Sequence, residues 1–458
     1  MTTPQIVWLR RDLRLADNPA LYHAAKAGPV VAVYVLDDAR AGHHAYGGAS
    51  RWWLHHSLAS LAKALEAKGS RLILRHGDAV AELCKVAAEL GATTVHAIRH
   101  YEPWWRKAQS ELKERLDLQL HDGNYLLPPG AVTTGSGTPY KIYTPFSKAT
   151  LEQFPPRDAL PEPDTLSSPD AWPASDALED WNLLPAKPDW AGGMREFWQV
   201  GEAAAHERLD WWADHVADYD EGRNFPSVDQ TSQLSPHLHF GEVSPVQVWH
   251  ALSSKRSAGW KTFEKELIWR DYAANTICQF PNYATQSYRP EFDKLEWRDH
   301  TGKAAADLKA WQQGMTGYPI VDAGMRQLWQ TGWMHNRVRM IAASFLIKHL
   351  LIDWRGGEQW FWDTLVDADY ASNACNWQWV AGSGVDSNMF VRIMAPLSQS
   401  DKFDAGGYIR TYVPELKHLP DSEIHDPADH RRGRYPARIV EHREGRERAL
   451  AAYRAAKA

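Results

Sequence analysis

Val30-Val31-Ala32-Val33-Tyr34-Val35-Leu36 is an unbroken apolar run of strand length. Similar short runs lie at Ile6 to Arg10, Arg71 to Leu74, Val95 to Ile98 and Leu118 to His121. The stretches between them, Pro19 to Ala27, Arg51 to Lys68, Ala79 to Leu90 and Trp104 to Leu116, carry helical periodicity. Strand and helix in alternation predict a doubly wound parallel sheet over residues 1–125. Arg11-Asp12-Leu13-Arg14-Leu15 follows the first run where a glycine fingerprint would stand, and no glycine-lysine phosphate loop is present, so a Rossmann-type dinucleotide or ATP site is not expected there.

Outward from that unit the pattern changes twice. Residues 126–195 read as a proline-rich connection, with 12 of the chain's 27 prolines between about 126 and 190 and no long periodic segment. From 196 to 458 strand signals vanish and helical patterns dominate, among them Ala203 to Asp220, Pro245 to Lys255, Thr262 to Cys278, Ile320 to Gln330, His335 to Leu350 and Glu358 to Leu365. The arginines after Asp426 predict a solvated, exposed terminal helix. The expected architecture is therefore an N-terminal α/β domain (1–125), a long linker (126–195) and an all-helical domain (196–458).

With 458 residues and 44% hydrophobic content the chain can bury a large core. No run approaches the roughly 18 apolar residues of a membrane span, and the start suits a buried strand better than a signal peptide. Cys84, Cys278 and Cys375 show no paired spacing, which predicts a reducing, cytoplasmic setting and no zinc site. His43-His44 and His55-His56 lack ligand spacing and read as surface or helix residues, so no metal is expected. A net charge of −6 falls short of a dedicated nucleic-acid binder and requires any such partner to meet a local basic patch. The 23 tryptophans are the compositional outlier and invite stacking or electron-transfer roles beside core packing.

Chemistry-bearing residues concentrate in the helical part. Trp333-Met334-His335-Asn336-Arg337-Val338-Arg339-Met340 and Asn373-Ala374-Cys375-Asn376-Trp377-Gln378-Trp379 place a basic helical face near an amide and two indoles. Glu266, Trp269 and Arg270 share one helix face, as do Asn336, Arg339 and Met340, and Arg339 can pair with Asp367 or clamp a phosphate. Thr231-Ser232-Gln233-Leu234-Ser235-Pro236 gathers hydroxyls before a helix start, which serves either as a plain cap or as an anion site.

Trp8-Leu9-Arg10-Arg11-Asp12-Leu13-Arg14, Thr231 to Pro236, His239-Phe240-Gly241-Glu242, Glu266 to Arg270 and Thr316-Gly317-Tyr318-Pro319-Ile320-Val321-Asp322, with the two helical stretches above, resemble the photolyase and cryptochrome family in order over nearly the whole chain. Within it the chain most resembles class I bacterial cyclobutane pyrimidine dimer photolyases.

The resemblance implies a carbon–carbon lyase acting on dimer-containing DNA under blue light by electron transfer from excited, reduced, anionic FAD. Tyr219, Thr231, Ser232, Leu234, Ser235, Arg270, Arg339, Asp367, Asp369 and Asn373 would hold the flavin, with Asn373 donating from its amide to the reactive ring nitrogen. Glu266, Trp269, Asn336, Met340, Trp379 and Arg392 would meet the lesion and its backbone; of these, Glu266, Asn336 and Met340, with Asn373, form the expected catalytic set. Trp377, Trp354 and Trp297 would relay electrons from the surface. A light-harvesting antenna is implied, a folate (methenyltetrahydrofolate) ahead of a deazaflavin, although Tyr101 to Arg106 lacks the asparagine-glutamate pair of folate-binding relatives. A monomer is expected. The alternative is a cryptochrome-type photoreceptor without repair; a six-four photolyase would carry histidines at Asn336 and Met340.

Overall fold

The computed structural model describes residues 3–298, 301–387 and 389–457. Five strands form one parallel sheet in the order β3-β2-β1-β4-β5, where β1 is Gln5–Leu9, β2 Val30–Leu36, β3 Leu72–His76, β4 Thr94–Ile98 and β5 Asp117–His121. Every residue of β1 and β2 is buried, as a strand covered by helices on both faces requires. The helices between strands start where local chemistry tells them to. Asn18 accepts from the Leu21 amide ahead of Pro19, and Asp78 accepts from the Ala81 amide to open Ala79–Leu90.

The order reverses between β1 and β4, so the crevice at their carboxyl ends is the place where such sheets take ligands. Here it is filled by side chains. Trp104 lies parallel to His44 at 6.2 Å and edge-on to Tyr370 at 5.0 Å, and the free space left is about 30 Å³.

Among the described residues no strand follows β5; the rest is helical apart from one isolated bridge, Thr133 to Pro139. The proline-rich connection is tied to both sides. Leu126, Val132 and Phe146 are buried with Trp212, Phe263 and Tyr272 of the helical part, while Leu166 and Leu183 join the core beneath the sheet. It also holds a helix that its composition did not announce, Tyr143–Leu151.

Two expectations are corrected. The single helix over 335–350 is an α-helix, Asn336–Ser344, that widens into a π turn, Phe345–His349. The terminal helix, His442–Lys457, is not merely solvated: Ala449 is fully buried, Gly445 packs against the His349 backbone, and Tyr453 stacks on Phe390 at 4.9 Å. Arginines on its outer face masked an alanine-tyrosine inner face.

Candidate active site

Helices Ala258–Gln279, Asn336–Ser344, Trp354–Thr364 and Tyr370–Ala381 surround a cavity of about 450 Å³. Helical spacing turns Glu266, Trp269, Arg270, Ala273 and Thr276 toward it. The other side of the same helix holds the connection: Asp271 accepts from the Leu126 and Leu127 amides at 3.3 and 2.9 Å, and burial pushes its carboxyl up to about 7. Asn336, Arg339 and Met340 line the opposite wall, with Asp367, Asn373, Trp377 and Trp379 completing it. These residues, scattered through the sequence from 266 to 379, are thus brought to one place.

Arg339 and Asp367 form a two-pronged ion pair, Nη1 to Oδ1 3.1 Å and Nη2 to Oδ2 2.8 Å, and Arg339 Nε donates to the Met334 carbonyl at 2.7 Å. Ser235 Oγ donates to Asp367 Oδ2 at 2.6 Å, which ties the hydroxyl segment to the pair. The helix Ser235–Phe240 has no side-chain cap, so the hydroxyls ahead of it are not capping groups. Asn373 is arranged otherwise than expected. Its amide nitrogen donates to Glu358, so the carboxamide oxygen is left for any ring beside it.

Several expected residues stand off the cavity. Tyr219 packs edge-on to Trp212 and Phe263. Leu234 is fully buried, and the Thr231 and Ser232 carbonyls accept from Arg208 at 2.9 and 2.7 Å. Asp369 joins the sheet instead: Arg11 Nη1 donates to its Oδ2 at 2.7 Å, beside His239. Burial opposes its ionisation, but the His239 hydrogen bond and the Arg11 charge outweigh it and hold the carboxyl well below the usual range. Trp354 is fully buried and Trp297 half-buried, while Trp377 meets Phe361 at 5.0 Å and Trp311 at 6.4 Å.

Met340 and Trp379 also face a second, outer cavity of about 790 Å³. Arg337, Arg392 and Lys402 line it, and among the described residues no carboxylate does. This is the local basic patch that an acidic chain needs to meet a polyanion.

Residues that carried no motif complete the site. Arg223 pairs with Glu266 across the mouth. Fully buried Glu358 links Asn373 to His44 of the sheet side at 3.3 Å; of the surface and helix readings of that doublet, His44 takes the helical one, buried in the turn Gly42–His44. Spacing cannot assign such partners: Arg223 and Glu266 are 43 positions apart and His44 and Glu358 are 314 apart.

The donor set fits an anionic aromatic cofactor. Half-buried Arg270 donates through Nη2 to the Leu238 carbonyl, while its buried Nη1 has no partner among the described residues, an arrangement that a phosphate oxygen satisfies. Residues 263–455 match the model of the FAD-binding domain of DNA photolyase, and residues 5–164 match the DNA photolyase model. The chain is 47% identical to a deoxyribodipyrimidine photo-lyase of Agrobacterium fabrum, over 100% of this chain and 98% of that protein. It is 39% identical to one of Streptomyces griseus, over 97% of each. A bacterial class III photolyase structure from Agrobacterium tumefaciens superposes with a TM-score of 0.94 at 48% identity, covering 100% of this chain and 98% of that one. The class I expectation does not match that relative, which is a class III photolyase. With relatives matched over its whole length, the chain belongs to the photolyase and cryptochrome family.

Proposed function

We propose that the protein is a deoxyribodipyrimidine photo-lyase that opens cyclobutane pyrimidine dimers in DNA under blue light. The observation that carries this reading is the shared wall: Glu266, Trp269, Asn336, Met340 and Trp379 line the same cavity as Arg339, Asp367 and Asn373. That supports placing a flipped dimer against the cofactor. Flipping of the target nucleotide by photolyases is a general property of such enzymes.

When bound, reduced FAD supplies the light-excited electron donor. Arg270 offers its open Nη1 to the diphosphate, with Ser235 and the Arg339–Asp367 pair shaping the ring side. Asn373 presents its oxygen as acceptor toward the reactive ring nitrogen, a reversal of the donor role its residue type implied; an acceptor suits a reduced ring nitrogen that carries hydrogen. Trp269 and Trp379 give the extruded bases planes to stack on, repaying stacking lost in the duplex. Exposed Asn336 offers donor and acceptor to a base edge, and Glu266, held by Arg223, offers acceptor oxygens beside it. Arg392, with Arg337 and Lys402, meets backbone phosphate in the outer cavity. Trp377, Trp354 and Trp297 carry electrons inward.

An antenna belongs to the same reading, a folate ahead of a deazaflavin. Neither fits the crevice at the carboxyl edge of the sheet as its side chains stand, since about 30 Å³ holds little more than a water. Three free cysteines favour a cytoplasmic setting, and we take the working unit as a monomer.

The test is direct. The purified, photoreduced protein is incubated with an oligonucleotide bearing one thymine dimer, in blue light and in darkness. Repair in light alone is expected; no repair in either, with reduced flavin bound, would make the chain a photoreceptor of the cryptochrome type.

A further inference from the structure

The Tyr143 phenol ring lies flat on the Trp269 indole, centroids 3.5 Å apart and planes 4° from parallel. Trp269 lines the inner cavity and Tyr143 does not, so the covered face is the one turned away from it. Tyr143 is itself fixed at three points. Its amide donates to Asp386 Oδ2 at 2.7 Å, its hydroxyl donates to the Lys265 carbonyl at 2.9 Å, and Tyr272 stands edge-on to both rings, at 5.7 Å from Tyr143 and 5.4 Å from Trp269.

We propose that Tyr143, from the proline-rich connection, is a positioning residue for lesion recognition: it seals one face of Trp269 and holds the indole plane so that the dimer meets only the cavity side. This rests on the reading of Trp269 as a lesion wall. An indole half in solvent samples several rotamers, and a ligand that stacks on it must first stop that motion. A ring clamped at van der Waals distance has already lost it. The bound state is then a three-layer stack of phenol, indole and pyrimidine, of which the protein contributes two layers ready-made.

The FAD-loaded protein is titrated in the dark with an oligonucleotide carrying one thymine dimer and with the same oligonucleotide undamaged, for Tyr143→Ala, Tyr143→Phe, Trp269→Ala and the double variant Tyr143→Ala/Trp269→Ala. Tyr143→Ala is expected to weaken dimer binding about tenfold, the scale of re-ordering one side chain, with undamaged binding and flavin content unchanged. Tyr143→Phe, which keeps the stacked ring, stays within about twofold, and in the Trp269→Ala background Tyr143→Ala costs nothing more. Should Tyr143→Ala fail to fold, Tyr143→Leu keeps apolar volume without the flat ring and is expected to show the same loss. Wild-type dimer affinity in Tyr143→Ala, or the same tenfold loss in the Trp269→Ala background, overturns the proposal. Wild-type dimer affinity in Trp269→Ala alone removes the lesion-wall reading beneath it, whatever the Tyr143 variants do.

Discussion

Asn373 turns its amide nitrogen onto Glu358, 2.9 Å from Oε1 and 3.2 Å from the main-chain oxygen. Glu358 in turn reaches His44 at 3.3 Å and accepts from Gln359 at 2.8 Å, so a buried polar chain runs from the sheet side to the cavity wall. A carboxamide has two ends, and fixing one decides what the other offers. The carboxylate thereby sets Asn373 as an acceptor toward the cavity.

Removing that constraint is expected to loosen the reduced cofactor. In Glu358→Ala the Asn373 amide keeps only its longer bond to the main-chain oxygen of residue 358, and we expect reduced flavin to reoxidise in the dark about fivefold faster, the equivalent of roughly one hydrogen bond. Absorbance recovery of oxidised flavin after photoreduction measures it. An unchanged rate would mean that Asn373 keeps its orientation without Glu358.

Gly357 predicts a second outcome. A Cβ there would lie 2.1 Å from Trp377 Cη2 and 2.6 Å from Leu346 Cδ2. Gly to Ala inside a helix ordinarily stabilises by about 1 kcal/mol, but here the methyl must displace a buried indole. Overpacking of this kind costs about 1–3 kcal/mol, so the sign reverses. Gly357→Ala is expected to lower the melting temperature and, by shifting Trp377, to slow photoreduction of oxidised flavin by an external thiol under blue light. A raised melting temperature with unaltered photoreduction would show that the indole yields at no cost.

How much of this was legible in sequence depended on range. The β2 run announced a strand because burial on both faces demands unbroken apolarity, and Glu266, Trp269 and Arg270 announced a shared face because helix geometry is local. The pairing of Asp369 was illegible for the opposite reason. Its partner is Arg11, 358 positions away, and nothing in either residue's neighbourhood encodes that meeting. The same holds for His44 on Glu358 and Tyr143 on Trp269. The π turn at Phe345–His349 was hidden because its residues keep an apolar helical pattern while the register widens by one residue to receive the terminal helix.

That docking gives a pH dependence with a definite sign. His349 Nε2 lies 2.8 Å from His442 Nδ1, and burial, with His442, Lys348 and Arg448 nearby, pushes the His349 imidazole down to about 3. Below its ordinary value near 6.5 the unfolded chain binds a proton that the folded chain refuses. The stability is therefore full above about 6.5 and falls with pH toward about 3, by at most about 1.4 kcal/mol per unit from this group. Thermal melts at pH 7 and 5 should show the loss, and His349→Gln, which keeps a hydrogen-bonding group and cannot titrate, should show a shallower one. Identical slopes in the two proteins would assign the acid sensitivity to other groups.

The outer cavity predicts how binding to DNA responds to salt. Arg337, Arg392 and Lys402 supply charge there, and Lys402 lies 5.3 Å from the Phe403 ring, whose other cationic neighbour is Arg337 at 4.7 Å. Lys402 is exposed and has no role in the inner cavity, so its loss removes a charge without disturbing the lesion wall. A phosphate contact releases about one counterion, so Lys402→Ala should reduce the slope of log K against log salt by about 1. It should weaken dimer-containing and undamaged DNA by the same factor, because phosphates carry no lesion information. Asn336→Ala should do the reverse, lowering discrimination for the dimer while leaving the salt slope and flavin content alone. Fluorescence anisotropy at several salt concentrations separates the two. If Lys402→Ala lost dimer binding selectively, the outer cavity would be reading the lesion itself and not the backbone that carries it.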